Sequence, residues 1–338
     1  MKIVVFGPER RVGALHDGQV IDLNGAYAKY AREREDEPLP HAMASAMAPA
    51  HLQEFIEAGP RAIESAQKAI EHLTSRAGDR LGLKGEQLLF DGNSVKIHAP
   101  LPSLSTRIAM AGGNYADHAL GMLRRRQPDM TEEQAIAETR KTGIWGFWKL
   151  ATNVIGPDEP LTYPSKTQRL DYEAEVVVVL NKRAKDVPES RMKDYIWGYT
   201  LQNDWSLRDQ PEAGNYKFVT AKNFDGSSSL GPCIVVDEIR DPENVPFELH
   251  INGDLRQRGN TKDMIFSFGE FLEYLTRDNT FNAGDIISGG TCAGTAADSS
   301  PREADGSISG KLFCHPGDLV QISSPLIGTL RNKVVAKE

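Results

Sequence analysis

Three carboxylates occupy alternate positions directly before four consecutive valines in the stretch RLDYEAEVVVVL, residues 169–180. Side chains two positions apart lie on the same face of a β-strand, so we expect Asp171, Glu173 and Glu175 to share one face. Carboxylates held side by side in a partly buried site repel one another by several kcal/mol. A raised pKa, an Arg or Lys side chain, or a divalent cation would each relieve that repulsion. A solvated strand face is the alternative, but the valines indicate burial on both faces.

A second group of polar residues ends the next predicted strand, in GYTLQNDWSLRDQ, residues 198–210. Asp204, leaving that strand, would complete a set of three oxygen ligands with Glu173 and Glu175. A set made only of carboxylates suits Mg²⁺, Mn²⁺ or Ca²⁺ and disfavours zinc, copper or iron. Arg208, four residues further on, offers a planar guanidinium that can bind a carboxylate through two hydrogen bonds.

The elements that position these residues divide the chain near residue 100 into a small N-terminal α/β domain (1–100) and a larger domain (101–338). In the first, two short strands are predicted with a hairpin turn at Asp17–Gly18. A helical period over 51–78 is broken at Gly59–Pro60 and predicts two helices. In the second, short β-type runs separated by Gly, Pro, Asp and Asn turns indicate mainly antiparallel β-structure.

Residues 121–143 are the exception in the larger domain, because GMLRRRQPDMTEEQAIAETRKTG is polar and helical in pattern. Asp129 or Thr131 is predicted to cap this helix, with Glu132 and Glu133 in its first turn.

Composition limits the kinds of partner. The chain has 338 residues and a formal net charge of −8, which disfavours nucleic acids and anionic membrane surfaces. No apolar segment approaches the roughly 20 residues needed to cross a bilayer, and the first apolar run is too short for a signal peptide, so we expect a cytoplasmic protein. Cys233, Cys292 and Cys314 lack metal-site spacing and are predicted to be reduced, mostly structural thiols.

Seven ordered motifs between residue 100 and the end of the sequence resemble the fumarylacetoacetate hydrolase family: GGNYADHA, DYEAEVVVVL, GYTLQNDWSLRDQ, KNFDGSSSLGP, INGDLRQRGNTKDMIFSFGEFLEYL, AGDIISGGTCAGT and IGTLRNKVV. The resemblance implies an α+β, mainly β fold, with a mixed β-sandwich roll as the catalytic domain, and a homodimer. It also implies that Glu173, Glu175 and Asp204 bind Mg²⁺ or Mn²⁺, with Ca²⁺ as an alternative.

The same resemblance assigns roles to other residues. His118 of NYADH is the expected general base for water, because the reference pKa of imidazole, about 6.5, lies near working pH. Lys222 in AKNFDG is expected to help neutralise a developing enolate. The residues expected to contact substrate are Tyr115, Arg208, Gln210 and Thr291.

Two departures from the family pattern affect these expectations. Many acylpyruvate hydrolases and oxaloacetate decarboxylases of the family carry a Glu three residues after the catalytic His, where this chain has Gly121. Glu132 or Glu133, on the polar helix that resembles an enlarged lid, is predicted to orient His118 instead. A lid lined by Trp145, Phe147 and Trp148 suggests a substrate bulkier or more aromatic than pyruvate derivatives, unless these side chains only pack within the lid.

The preferred prediction is a metal-dependent hydrolase that cleaves a carbon–carbon bond in a β-diketone or 2,4-dioxo acid, in aromatic or related catabolism. The alternative is a decarboxylase, hydratase, dehydratase or isomerase that acts on a 2-oxo acid through the same enolate, which the Gly121 departure favours. A binding protein without turnover is a third reading, against which the intact set of metal-ligand residues argues. The fold alone does not identify the substrate.

Overall fold

The computed structural model describes residues 1–75, 80–124, 127–210, 217–239, 241–301 and 309–337. Parts of two sequence predictions lie outside these residues, namely 76–78 of the second predicted helix and 125–126 of the predicted lid helix. Within the described part of the chain, no helix is both long and apolar enough to cross a membrane.

The α-helices of the described residues are α1 (Leu23–Arg34), α2 (Pro40–Met47), α3 (Leu52–Glu57), α4 (Pro60–Thr74), α5 (Ala116–Arg124), α6 (Glu132–Thr142), α7 (Lys217–Ala221), α8 (Phe268–Thr276) and α9 (Ala296–Ser299). Short 3₁₀ helices lie at Ala151–Asn153, Glu189–Asp194, Thr261–Asp263 and Gly310–Leu312. The strands are β1 (Lys2–Phe6), β2 (Arg11–His16), β3 (Gln19–Asp22), β4 (Leu89–Asp91), β5 (Ile97–His98), β6 (Arg107–Ala111), β7 (Gly146–Leu150), β8 (Val154–Ile155), β9 (Leu161–Thr162), β10 (Leu170–Asp171), β11 (Ala174–Leu180), β12 (Ile196–Asp204), β13 (Ser206–Leu207), β14 (Ser228–Val235), β15 (Pro246–Ile251), β16 (Asp254–Asn260), β17 (Ile286–Thr291), β18 (Leu319–Ser324) and β19 (Gly328–Val335).

The strands form one large sheet and two smaller ones. The large sheet has twelve strands in the hydrogen-bonded order β4-β3-β2-β1-β14-β12-β11-β17-β6-β7, with β5 paired to β1 and β8 paired to β14. A five-stranded sheet has the order β16-β15-β18-β19-β9, and β10 pairs with β13. Most of these pairs are antiparallel, so the predicted α+β, mainly β class is confirmed.

The valine run forms the centre of the large sheet as β11, with β12 on one side and β17 on the other. Val176 and Val178 belong to the core that includes the five-stranded sheet, whereas Val177 and Val179 belong to the core that includes helices α1, α3 and α4. β-Branched side chains suit such a strand, because both faces must be packed. The burial on both faces that the valines predicted is therefore confirmed.

The first strands of the chain extend the same large sheet, because β1 pairs with β14 through Lys2 opposite Val235. The predicted hairpin at Asp17–Gly18 is confirmed, and both residues have positive φ, which Asp and Gly tolerate best. The predicted break at Gly59–Pro60 is also confirmed, since it separates α3 from α4. The domain boundary near residue 100 stays a prediction.

The single strand predicted over residues 169–180 is wrong at its start. β10 ends at Asp171 and β11 begins at Ala174, so Tyr172 and Glu173 form a break between two strands. Glu173 is still hydrogen-bonded to β12, because its carbonyl oxygen accepts from the backbone N–H of Asp204 at 2.9 Å. Asp171 instead lies in the short ladder between β10 and β13. Only two of the three carboxylates are thereby placed at the start of β11.

The predicted lid segment contains the end of one helix and the whole of another. His118 of the NYADH motif lies in the first turn of α5, which begins at Ala116. Thr131, one of the two predicted caps, begins α6: its hydroxyl oxygen accepts from the N–H of Gln134, whose side chain accepts from the N–H of Thr131 in return.

Candidate metal and acid–base site

One cavity of about 290 Å³ lies where the ends of β11 and β17 meet α5, α7 and α9. Its polar lining residues are His118, Glu173, Glu175, Ser206, Arg208, Lys222, Thr291 and Asp298. Its apolar lining includes Met122, Trp145, Phe147 and Phe218. A pocket with a few convergent polar groups and an apolar remainder is the usual form of a small-molecule site.

The carboxylates of Glu173, Glu175 and Asp204 converge beside this cavity. They offer oxygen atoms that all lie within 4.8 Å of one another, and all three side chains are buried. The register of β11 on β12 explains the cluster, because Ala174 lies opposite Asn203 and so places Glu173 and Asp204 side by side. The convergence expected of these three residues is therefore present in the structure.

Three cationic side chains surround the cluster. Lys222 Nζ donates to Glu173 Oε2 at 2.6 Å and to Asp204 Oδ2 at 2.7 Å. Arg208 donates to Glu173 through Nη2, and Lys149 Nζ donates to Asp204 Oδ1. Lys149 is only 2% exposed and was missed from the sequence, where its one signal is a lone charge within the apolar strand GFWKL.

Glu175 is the carboxylate that these cations leave unpaired. Among the ion pairs of the described residues it has none, and its carboxylate accepts a hydrogen bond from the hydroxyl of Ser288. Burial and the neighbouring Asp204 and Glu173 charges raise its pKa well above the ordinary value. Burial also disfavours the charge on Glu173, but Lys222 and Arg208 outweigh it and hold the Glu173 pKa below its ordinary value.

This donor set fits a hard divalent cation. The converging ligand atoms are all carboxylate oxygens, each of which can accept more than one partner, so the lysine contacts leave lone pairs available. The excess negative charge at Glu175 is what a bound cation would neutralise.

His118 pairs with a carboxylate that the sequence did not indicate. Its ring Nδ1 lies 2.6 Å from Asp298 Oδ2, and because a carboxylate only accepts, Nδ1 carries the hydrogen. Burial raises the pKa of Asp298, but the hydrogen bond and charge of His118 outweigh this and lower it below the ordinary value. With the hydrogen on Nδ1, the Nε2 lone pair is the one that can act as the base.

Asp298 fills the space beside Gly121. A Cβ built on Gly121 would lie 3.8 Å from Asp298 Oδ1, so the carboxylate comes from α9 to the place that a side chain at position 121 would approach. Asp298 follows Thr295 by three residues, and its N–H does donate to the Thr295 hydroxyl at 3.2 Å. This spacing after Thr295 is the only feature of the sequence that marks Asp298, and it suggests only that Asp298 belongs to the start of a helix.

The structure corrects the expectation for Glu132 and Glu133. Both are exposed in the first turn of α6, and the carboxylate that contacts His118 is that of Asp298. Glu132 and Glu133 were predicted to orient His118 because they are close to it in the sequence. In the structure they lie in the capped first turn of α6 and are exposed to solvent.

A first prediction follows for these two acids. Glu132→Gln and Glu133→Gln are each expected to change kcat by less than about twofold, because solvated first-turn acids contribute only tenths of a kcal/mol to their helix. Steady-state kinetics of both variants at saturating substrate checks this. A tenfold loss in either variant would mean that α6 closes over His118 during turnover.

The residues predicted to contact substrate are not equally close to the cavity. Arg208 and Thr291 line it, and the Thr291 hydroxyl donates to the carbonyl of Ala174 at 2.9 Å. Tyr115 is fully buried in the core with its ring against Phe247, and Gln210 donates to the carbonyl of Lys166. Neither Tyr115 nor Gln210 is among the described lining residues, and the substrate roles of all four stay predictions.

Asp171 connects two parts of the site. Its carboxylate is fully buried and accepts from Arg208 Nε at 2.8 Å and from the N–H groups of Ala296 and Ala297 at 2.7 and 3.1 Å. It therefore holds both the guanidinium of Arg208 and the start of α9, which carries Asp298. Its place next to the metal-type carboxylates in the sequence gave no indication of this.

Asp171→Asn is expected to reduce the free energy of unfolding by about 2 kcal/mol, because the amide has one acceptor oxygen where the carboxylate has two, so at least one of the donors from Arg208, Ala296 and Ala297 is left without a partner. Urea unfolding of the metal-free protein measures the change. Asp158→Asn is a matched control: its carboxylate pairs with Arg331 at the surface and its φ of 61° suits Asn, so the cost should stay below about 1 kcal/mol. Equal effects in the two variants would contradict the assignment.

The aromatic residues predicted for the lid divide between two faces of β7. Trp145 and Phe147 line the cavity, whereas Trp148 is 45% exposed on the other face and stacks near Phe281. The expectation that Trp148 lines the site is therefore wrong, because successive side chains of a strand point in opposite directions.

The sequence of this chain is similar to a family model and to several known proteins, and its structure is similar to solved structures. A family model described as Fumarylacetoacetate (FAA) hydrolase C-terminal matches residues 107–335. Oxaloacetate tautomerase YisK of Bacillus subtilis (strain 168) is 32% identical over 288 residues, which cover 85% of this chain and 87% of the relative. Oxaloacetate tautomerase fahd2, mitochondrial, of Xenopus laevis is 29% identical over 343 residues, which cover 99% of this chain and 90% of the relative. A solved structure, fumarylacetoacetate hydrolase from psychrophilic Exiguobacterium antarcticum, has a TM-score of 0.70 at 24% identity, with 100% of both chains covered, and shows the same fold.

Proposed function

The chain belongs to the fumarylacetoacetate hydrolase family, as its motifs predicted, and we propose that it catalyses the keto–enol tautomerisation of a 2-oxo acid with Mg²⁺ or Mn²⁺. The observation that carries the proposal is the buried His118–Asp298 pair, which lines the same cavity as Glu173 and Glu175. Tautomerisation needs a base with a fixed tautomer and positive charge near the enolate oxygen.

Each requirement has a residue in the site. His118 would move the proton between C3 of the substrate and solvent through Nε2, while Asp298 holds Nδ1–H and stabilises the charged ring. Lys222 and Arg208 would lie near the substrate carboxylate and the enolate oxygen. A bound divalent cation, held by Glu173, Glu175 and Asp204, would supply polarisation of the 2-oxo carbonyl. The substrate loses one proton and gains one, at C3 and at the 2-oxygen, so its composition is unchanged and no water is consumed.

The relatives support isomerisation ahead of hydrolysis. The two relatives named oxaloacetate tautomerases are 32% and 29% identical over most of this chain. The solved hydrolase structure is 24% identical to this chain, and similarity at that level supports the fold alone. The isomerase alternative of the sequence analysis is therefore the stronger proposal.

Carbon–carbon hydrolysis is the second candidate, and one observation favours it. The Gly121 departure disfavoured hydrolysis, because the usual Glu that orients the catalytic His is absent. In the structure, however, Asp298 supplies a carboxylate to His118 from another helix. His118 is thus available as the base that would activate water in the carbon–carbon hydrolysis preferred from the sequence.

Product analysis by NMR in D₂O separates the two reactions. The Mn²⁺-free, Mg²⁺-loaded enzyme would receive oxaloacetate or acetylpyruvate, with Mg²⁺ alone and His118→Ala as controls. We expect enzyme-dependent deuterium exchange at C3 and faster loss of the enol signal, without cleavage. Release of pyruvate and acetate from acetylpyruvate would support hydrolysis instead, and neither reaction above the controls would overturn both candidates.

A further inference from the structure

Several apolar side chains line the cavity beside the carboxylate cluster, and we call four of them, Met122, Trp145, Phe147 and Phe218, the apolar wall. The Phe218 ring lies 5.8 Å from that of Trp145 and stacks on that of Phe147 at 5.5 Å with an interplanar angle of 14°. Trp145 is 37% exposed and Phe218 is 42% exposed. Aromatic surface left open inside a substrate cavity is surface that a ligand can cover.

The apolar wall lies next to His118, the proposed base. Met122 follows His118 by four residues on α5, so both side chains lie on the same face of that helix. The turn before α5 is shaped to admit the wall: a Cβ built on Gly112 would lie 2.4 Å from the Trp145 ring, and one on Gly113 would lie 2.6 Å from Met122 Cε. Larger residues at either glycine would displace the wall.

The two cationic side chains that line the cavity, Lys222 and Arg208, are already paired with carboxylates. Lys222 Nζ lies 4.9 Å from the centre of the Phe147 ring, but it donates to Glu173 and Asp204. Arg208 donates to Asp171 and Glu173. A second carboxylate of a substrate placed against the wall would lose water and would have to compete with Asp171, Glu173 and Asp204 for Arg208 and Lys222, whereas an apolar group would gain free energy from burial.

We propose that the substrate of this enzyme is a 2-oxo acid with a planar apolar substituent on C3, of the arylpyruvate class, in preference to a dicarboxylate such as oxaloacetate. The inference rests on the proposed tautomerase function. The carboxylate and the 2-oxo group lie at the cluster, and the ring packs against Phe218 and Trp145 in the offset or edge contacts that aromatic pairs adopt. On ketonisation C3 gains one hydrogen through His118 and the enol oxygen loses one, so the composition is unchanged.

The first test compares kcat/KM of the Mg²⁺-loaded enzyme for the enols of phenylpyruvate and oxaloacetate. We expect phenylpyruvate to be preferred by about tenfold or more, the range that apolar pocket contacts give. Phe218→Ala should reduce kcat/KM for phenylpyruvate by about tenfold and that for oxaloacetate by less than twofold, and Phe218→Leu should fall between wild type and Ala. Trp148→Ala is the matched control, because it removes an aromatic ring from the outer face of β7 and should affect neither substrate.

The second test needs no turnover. Calorimetry of the Mg²⁺-loaded protein with benzoylformate and with ketomalonate, in which a carboxylate takes the place of the ring, should show tighter binding of benzoylformate in wild type, and Phe218→Ala should abolish that preference. Preference for oxaloacetate and ketomalonate, or equal losses for both ligand types in Phe218→Ala, would overturn the assigned substrate class. Absence of tautomerisation of either enol, with the benzoylformate preference intact, would overturn the tautomerase function and leave the apolar wall as the binding determinant of another reaction.

Discussion

Asp298→Asn is expected to lower kcat by at least about a hundredfold, because a positioned acid–base group contributes about 10²- to 10⁴-fold to rate. His118 Nδ1 now donates to a carboxylate at 2.6 Å. An Asn amide can donate to Nδ1, which would place the ring hydrogen on Nε2 and leave no lone pair facing the substrate. Steady-state kinetics measures the loss, and titration with Mn²⁺ should show unchanged metal affinity.

The double variant His118→Ala/Asp298→Asn tests whether the two residues act as a unit. It should be no slower than His118→Ala alone, because Asp298 acts through the imidazole. Additive losses would show that Asp298 has a separate role in the reaction. Full activity of Asp298→Asn would show that His118 works without an orienting carboxylate.

The pair also predicts a pH dependence of stability. Because the folded pKa of Asp298 is lowered, its contribution is fully present above the unfolded carboxyl value of about 3.9 and is lost as pH falls through the folded value. Wild type should therefore be more stable than Asp298→Asn at neutral pH, and urea unfolding at acid pH should show the difference shrinking.

The metal-type cluster could be predicted from the sequence because its geometry is local. Glu173 and Glu175 flank Ala174 at the start of a strand that its valines identify, and Asp204 ends the adjacent strand. Antiparallel pairing of two neighbouring strands then brings the three together, with the close spacing that sheets impose. Arg208 follows for a similar reason, since it lies four residues after Asp204, whereas Lys222, 18 residues after Asp204, was indicated only by the family resemblance.

The partners of His118 and Asp204 could not be predicted, because they depend on the packing of distant segments. Asp298 is 180 residues from His118 along the chain, and Lys149 is 55 residues before Asp204. Neither spacing has a local rule, and Asp298 also matches a helix-start pattern that explains it without chemistry. The choice of Glu132 and Glu133 used distance along the chain as a substitute for distance in space, and α6 turns both acids to solvent.

Asp171 shows a different limit. Strict alternation would put it on the face of Glu173 and Glu175, but the break after β10 lets it bind the start of α9. The break at Tyr172 and Glu173 places Asp171 in a separate ladder with β13, and no composition signal marks such a break here.

Glu175→Gln is expected to weaken Mn²⁺ binding by at least about a hundredfold, since even partners of the ligands change metal affinity by about 10- to 100-fold. The variant keeps the size of the side chain and its contact with Ser288 but removes the unpaired charge. Calorimetric titration of the metal-free protein measures the affinity. Retained micromolar binding, or full activity after EDTA treatment with no metal detected by elemental analysis, would rule out this ligand set.

The same substitution should make the metal-free protein more stable, and this opposite sign distinguishes a metal ligand from a structural residue. The raised pKa of Glu175 means that its ionised form is disfavoured in the folded state by burial and by Asp204 and Glu173. Metal-free wild type should therefore gain stability as pH falls through that raised value, whereas Glu175→Gln should begin with a higher Tm at neutral pH and lack this gain. Glu173→Gln is the matched control, because Glu173 binds Lys222 and Arg208, so its loss should weaken metal binding and lower the Tm together. A fall in Tm for both metal-free variants would show that the charge of Glu175 is already compensated within the protein, and the need for a cation at this cluster would disappear.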